Sequence, residues 1–134
     1  MLNKHVDVTE LIIQAFYTVY NTLGYGFSEK VYHGAMVVEL RRLGAKVLSE
    51  HPINVYYRGV IAAEFFADII VNDCVIVELK SVKELLDEHQ AQLLNYLRAT
   101  KFEVGLLLNF GPEAKFHRKS YDNHRKGNLT WVAE

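Results

Sequence analysis

A chain of 134 residues with a formal net charge of −1 has room for one domain, expected to span 1–134, and hardly for two. Half of the residues are hydrophobic, with eight Tyr and seven Phe, so a core can form and disorder over most of the length is excluded. The near-neutral charge excludes a molecule-wide attraction for nucleic acid, so any anionic ligand must be met by a local basic patch.

Apolar residues recur at helical spacing at Val8, Leu11, Ile12, Ala15, Phe16, Val19 and Leu23, which predicts a first helix over 8–23. Asp7, with Glu10 three residues later, reads as a capping-box-like start. Gly24 and Gly26 break the chain. Ser28 can cap a second helix with the stripe Val31, Ala35, Val38 and Leu43, stopped at Gly44. The pattern then becomes β-like. Segments 46–50 and 53–57 read as strands, the second rich in β-favouring Val55, Tyr56 and Tyr57, and Arg58-Gly59 reads as a turn. Two apolar runs, 60–71 and 74–80, flank Asn72-Asp73 and predict a hairpin. Helical spacing returns over 85–100, with Leu86, Leu93, Leu94 and Leu97 on one stripe. The nearly continuous apolar run 103–110 predicts a buried central strand. Beyond 111 the chain is mixed, with a basic stretch and a short strand expected at 129–132. The order α-α-β-β-β-α-β predicts an α/β (α+β) fold, a mixed sheet packed by helices.

In the run 74–80, CVIVELK, strand alternation sends Glu78 and Lys80 to one face and Leu79 to the other. Two such charges at the end of a buried strand are costly unless paired. Taken alone, they are explained by an ion pair where a strand leaves the core. Asp68 interrupts the apolar run from Phe65 to Val71, and alone it marks a strand end as readily as a functional acid. The hairpin alters that reading. Asp68 and Glu78 lie a similar distance from its turn, and two carboxylates held close repel each other. A divalent cation would relieve the repulsion, and oxygen ligands suit Mg²⁺ or Mn²⁺ rather than zinc. A two-residue turn at Asn72-Asp73 would pair Asp68 with Val77 and send the two carboxylates to opposite faces. A one-residue bulge or a three-residue loop is therefore expected. Glu29 and Tyr32 share a face of the second helix, where Glu29 in the first turn also suits the helix dipole. Gln92 and Tyr96 share a face of the later helix, with His89 one turn earlier. A solvated Gln and a half-buried packing Tyr would look the same.

Taken together, Gly26-x-x-Glu29-x-x-Tyr32, the Ala67-Asp68 strand, Val77-Glu78-Leu79-Lys80 and Ala91-Gln92-Leu93-Leu94-Asn95-Tyr96-Leu97 resemble the GxxExxY family of PD-(D/E)XK nuclease-like proteins. The resemblance runs from about residue 6 to about residue 121. The Gln-x-x-x-Tyr helix also resembles a motif of RecB-type nucleases. Ala67 stands where the fold's name suggests Pro, with no chemical consequence. The resemblance implies a restriction-endonuclease-like core with an acidic site at one edge of the sheet. It implies Asp68 and Glu78 as metal ligands, the main-chain carbonyl of Leu79 as a third oxygen, and Glu29 as a helix acid touching the metal directly or through water. Lys80 would orient the attacking water or stabilise the transition state, and Gln92 and Tyr96 would touch the phosphate or Lys80. Mg²⁺ or Mn²⁺ is the cofactor this implies.

The other candidates carry less. Six His are scattered without a helical H-x-x-x-H pair, which argues against zinc. Cys74 is the sole cysteine, so no internal disulfide forms, in keeping with a reducing cytoplasm. The first ten residues lack an apolar signal core, and no run of ~18 apolar residues could span a membrane. Lys115, His117, Arg118, Lys119, Arg125 and Lys126 form a basic stretch, either a solvated tail or a phosphate-backbone contact. The expected function is a metal-dependent nuclease with nucleic acid as partner, DNA before RNA. The alternative is a binding or regulatory module with the nuclease fold and little turnover. Near-neutral charge favours that alternative, or a homodimer or protein partner that supplies the grip. A small-molecule phosphoesterase stays open as a third reading.

Overall fold

The computed structural model describes residues 4–127. Its elements run α1 (Val6–Leu23), α2 (Glu29–Arg42), β1 (Val47–Tyr57), β2 (Val60–Val71), β3 (Val75–Lys80), α3 (Asp87–Ala99), β4 (Val104–Phe110), β5 (Ala114–Ser120) and a short 3₁₀ turn at Asn123–Arg125. The five strands form one mixed sheet in sequence order, antiparallel except for the parallel β3–β4 pair. That parallel pair needs a crossover, and α3 supplies it. Helices α1 and α2 cover one face through Ile12, Phe16, Tyr32, Met36 and Leu40 against Val75, Val77, Leu79, Leu106 and Phe110. Helix α3 covers the other through Leu93, Tyr96 and Leu97 against Ile70, Ile76 and Leu107. The result is a three-layer arrangement with β3 and β4, the most apolar strands, in the middle. Gly105 lets α3 approach β4, because a Cβ there would meet the Leu93 side chain at 2.7 Å.

Several expectations are corrected. The α1 start is His5 in a left-handed conformation with no side-chain cap, so Asp7 and Glu10 form no capping box. Ser28 stands at the N-cap of α2 without a side-chain hydrogen bond. The buried stripe of α2 is Tyr32–Met36–Leu40, and Val38 is exposed, because the face toward the sheet is one position away from the expected one. Segments 46–50 and 53–57 are one strand. Leu86 is the exposed residue that caps α3 rather than part of its stripe. Strand β5 arises from the basic stretch itself, AKFHRKS. It pairs only with β4, and an edge strand tolerates the charges that hide it from a hydrophobic reading. The short strand expected at 129–132 lies outside the described residues.

Candidate active site

The site is built where β2 and β3 part. Asn72 and Asp73 both take left-handed conformations, and Val71 pairs with Val75, so the hairpin loop has three residues ending in Cys74. That register puts Asp68 opposite Glu78. The ladder holds only from Ile69–Val77 to Val71–Val75. Beyond it β2 continues with β1 as a two-stranded ribbon, closed by Arg58-Gly59 with positive φ at both positions, as a two-residue hairpin turn requires. The ribbon rotates as it leaves. Ile69 packs in the α1–α2 core but Ala67 in the α3 core, although two residues apart they should share a face. On β1 the matching break falls at Glu50, a non-glycine residue at φ 54°, between the pairs Ser49–Ile69 and His51–Ala67.

In the fork so formed, two carboxylates replace the missing ladder. The Asp68 N–H donates to Glu78 Oε2 at 2.8 Å, and the Leu79 N–H donates to Asp68 Oδ2 at 2.7 Å. Main-chain donors that parting strands would leave unpaired are thereby satisfied. The electrostatics stay unfavourable. Burial first, and then the Asp68 charge, push Glu78 up to about 8, and burial likewise raises Asp68. Lys80 pulls both down without overcoming this. Lys80 stands two residues after Glu78 on β3 and so leaves the same face. Just after it, buried Asn109 clamps the chain, accepting from the Val82 N–H and donating to the Val82 carbonyl, both at 3.0 Å.

Helix α2 brings Glu29 to the fork. Gly26, at φ 120°, makes the turn before the helix in a conformation that favours glycine. Tyr32 anchors the turn: it is fully buried, stacks on Phe110 at 4.2 Å, accepts from the Phe27 N–H and donates to the Gly24 carbonyl. Glu29 is exposed as a residue, yet desolvation raises its carboxyl against the pull of Lys80, and the Asp68 charge raises it further. Glu29, Asp68 and Leu79 line one cavity of about 310 Å³ together with Lys30, His33 and Glu50.

From the other side α3 contributes Tyr96, which is buried rather than half-buried and whose hydroxyl is raised by desolvation and by Glu78. Gln92 is exposed and reaches the site through Tyr96, to whose hydroxyl its Nε2 donates at 3.0 Å. His89 instead caps its own helix, its Nδ1 accepting the Leu86 N–H. Among the described residues, no three His, Cys, Asp or Glu side chains are grouped so as to hold a metal by themselves.

The half-buried Asp68 and the buried Glu78 stand in a sheet fork, with a lysine two residues on and helices on both faces, and comparison with known proteins adds the family. The sequence matches the family model described as the PD-(D/E)XK nuclease superfamily over residues 6–120. The chain belongs to the PD-(D/E)XK nuclease superfamily. Among solved structures, the crystal structure of SSO0001 is similar in fold, with a TM-score of 0.55 at 20% identity. The match covers 98% of this chain and 66% of that one, so the present chain spans just under two thirds of its length. No curated protein matches.

Within this superfamily member, the structure brings Glu29, Asp68, Glu78, Leu79 and Tyr96 around one fork, with Gln92 behind Tyr96. It adds His33, whose Nε2 lies 2.8 Å from Ser49 Oγ, and Glu50. His33 could have been found by its position one turn after Glu29, but Glu50 enters only through strand register. The basic stretch is largely engaged in structure. Arg118 donates to the Lys4 carbonyl, Arg125 lies over Tyr121 and Lys115 faces Glu113. Lys126 is buried, donating to the Thr100 and Phe102 carbonyls. Among the described residues, no helix is long and apolar enough to cross a membrane.

Proposed function

We propose that the protein is a metal-dependent nuclease of the GxxExxY branch, hydrolysing phosphodiester bonds of nucleic acid, DNA in preference to RNA. The observation that carries this reading is the Asp68–Glu78 pair, half-buried and buried respectively, mutually repelling and set in the fork beside Lys80. The donor set fits a hard divalent cation, Mg²⁺ or Mn²⁺. Asp68 and Glu78 would hold it. The Leu79 N–H points into the fork, and the carbonyl of a strand residue points the same way, so Leu79 would supply a third oxygen. Glu29 would reach the metal directly or through water. When bound, such an ion supplies an acidified water and polarises the phosphoryl oxygens.

The chain's own residues do the rest. Lys80 brings a fixed positive charge to the phosphate as negative charge grows on it. Tyr96, oriented by Gln92, offers a hydroxyl to the phosphate or to Lys80. Burial of Glu78 and Leu79 keeps bulk water from one side of the pair. The test is incubation of the purified chain with labelled single- and double-stranded DNA and RNA, in Mg²⁺, Mn²⁺ or EDTA. Cleavage in either metal, abolished by EDTA and by Asp68→Asn, supports the reading. Binding of Mn²⁺ without cleavage across that panel replaces it with a binding or regulatory module, which the net charge of −1 favours.

A further inference from the structure

Next to the fork runs a groove of about 500 Å³ between the β1–β2 ribbon and α3. Tyr96 lines the groove, and its hydroxyl lies within the influence of Glu78 and Asp68, so the groove lies on the α3 side of the acidic site. Across from Tyr96 stands Phe65, its ring centroid 5.8 Å away at 37° and its surface 42% exposed. Phe65 and Tyr96 together give the groove a partly exposed aromatic wall. Gln92 and Asn95 line the same groove from exposed turns of α3. Gln92 uses its Nε2 on Tyr96 and keeps its carbonyl oxygen, while Asn95 carries a whole amide.

An aromatic face flanked by amide donors and acceptors is the set that holds an unstacked nucleobase by its ring and its edge. In a double helix both faces of a base are covered by its neighbours, so only an unpaired nucleotide can present one to Phe65. The charges at the two ends give the strand a direction. The groove has Glu88 near the start of α3 and continues past Asn95 to Arg98. A phosphate is repelled at the first and attracted at the second.

We infer that this groove is a subsite for one unpaired nucleotide of a DNA strand, its base stacked on Phe65, its edge met by Gln92 and Asn95, and its neighbouring phosphate directed to Arg98. The inference rests on the nuclease reading for the position of the strand at Asp68 and Glu78, but its test reads binding. The full-length chain in Ca²⁺ is titrated into a fluorescein-labelled single strand and into the same strand in a blunt duplex, and anisotropy is followed. Wild type is expected to bind the single strand more tightly. Phe65→Leu, which keeps an apolar group and removes the ring, should weaken single-strand binding about tenfold and leave duplex binding unchanged, and Phe65→Trp should restore it. Asn95→Ala should also weaken it, and Tyr57→Ser, at the exposed tip of the ribbon, should not. A 2-aminopurine base in the strand should be quenched by wild type and Phe65→Trp but not by Phe65→Leu. Equal affinity for single strand and duplex, no binding of the single strand, or an unaffected Phe65→Leu overturns the inference. Cleavage in Mg²⁺ is measured separately. An active enzyme indifferent to Phe65 refutes the subsite and keeps the nuclease, whereas a ring-dependent quench without cleavage keeps the subsite and refutes the nuclease.

Discussion

Two groups of carboxylates in this protein meet their surroundings in opposite ways. Glu103 accepts from the Asn123 N–H at 2.7 Å and from Lys4 Nζ at 3.0 Å, and these contacts hold its carboxyl below the ordinary range. Asp122 shares the same lysine. This cluster ties the N-terminal end of α1 to the chain after β5, and every charge in it has an opposite neighbour. In the fork, the carboxylates of Asp68 and Glu78 accept from main-chain N–H groups, and both are raised because burial outweighs the pull of the nearby cations. Lys80 makes no ion pair within 4.0 Å among the described residues. The difference teaches how to tell a structural acid from a functional one. The first kind is already neutralised by the fold, and the second carries an electrostatic cost that a proton or a bound cation would relieve, which marks it as a candidate functional acid.

The sharpest way to break this comparison is Asp68→Asn. The amide oxygen can still accept the Leu79 N–H, so the fork should close as before. Metal-dependent cleavage is expected to fall by about a thousandfold. Stability without metal should hold or rise, since a like charge beside Glu78 is gone. A cleavage assay paired with a melting curve checks both, and an active Asn variant would remove Asp68 from the site.

Next in size, Lys80→Ala should lower the cleavage rate about a hundredfold while leaving the melting temperature near that of wild type. A large loss of stability instead would show that Lys80 serves the fold, as Lys4 does.

The fork should also announce itself in the pH dependence of stability. Glu78 titrates near 8 in the fold against an ordinary value of 4.5. Between those values the folded chain keeps a proton that the unfolded chain has lost, so metal-free stability must fall as pH rises. The fall is on the order of 3–5 kcal/mol, at about 1.4 kcal/mol for each pH unit crossed. Urea unfolding at pH 5 and pH 8 measures it. Glu78→Gln should flatten this slope and be the more stable form at pH 8, and Mn²⁺ should stabilise wild type more at pH 8 than at pH 5. A wild-type protein whose metal-free stability is flat over this range would contradict the buried, unneutralised acid.

The smallest effect belongs to the other cluster. Glu103→Gln should cost about 1 kcal/mol at neutral pH, through weaker hydrogen bonds to Asn123 and Lys4, and leave cleavage untouched. The sign is opposite to that of Glu78. A carboxyl held low stabilises the fold above its ordinary pKa and loses that effect as pH falls through the folded value. Urea titrations of the variant and wild type at pH 3 and pH 7 should therefore converge at the acid end.

The sequence by itself determined most of the elements and the acid pattern. Periodicity located α1, α2, α3 and the central strand β4, because burial of a helical stripe or of a whole strand leaves a local signature. Alternation on β3 and the need for a bulge or a three-residue loop together placed Asp68 across from Glu78, because register follows from the turn, and the structure chose the loop. Strand β5 stayed hidden, since an edge strand needs few apolar residues. Only the tertiary structure decided that β2 leaves β3 just below Asp68, that the ribbon rotates there, and that Glu50 and His33 close the same cavity. It alone separated Lys126, buried as a structural tie, from Lys80, left to the site. The reason is physical. Whether a charge is neutralised depends on which groups from distant parts of the chain stand within a few ångströms of it, and no local pattern records that.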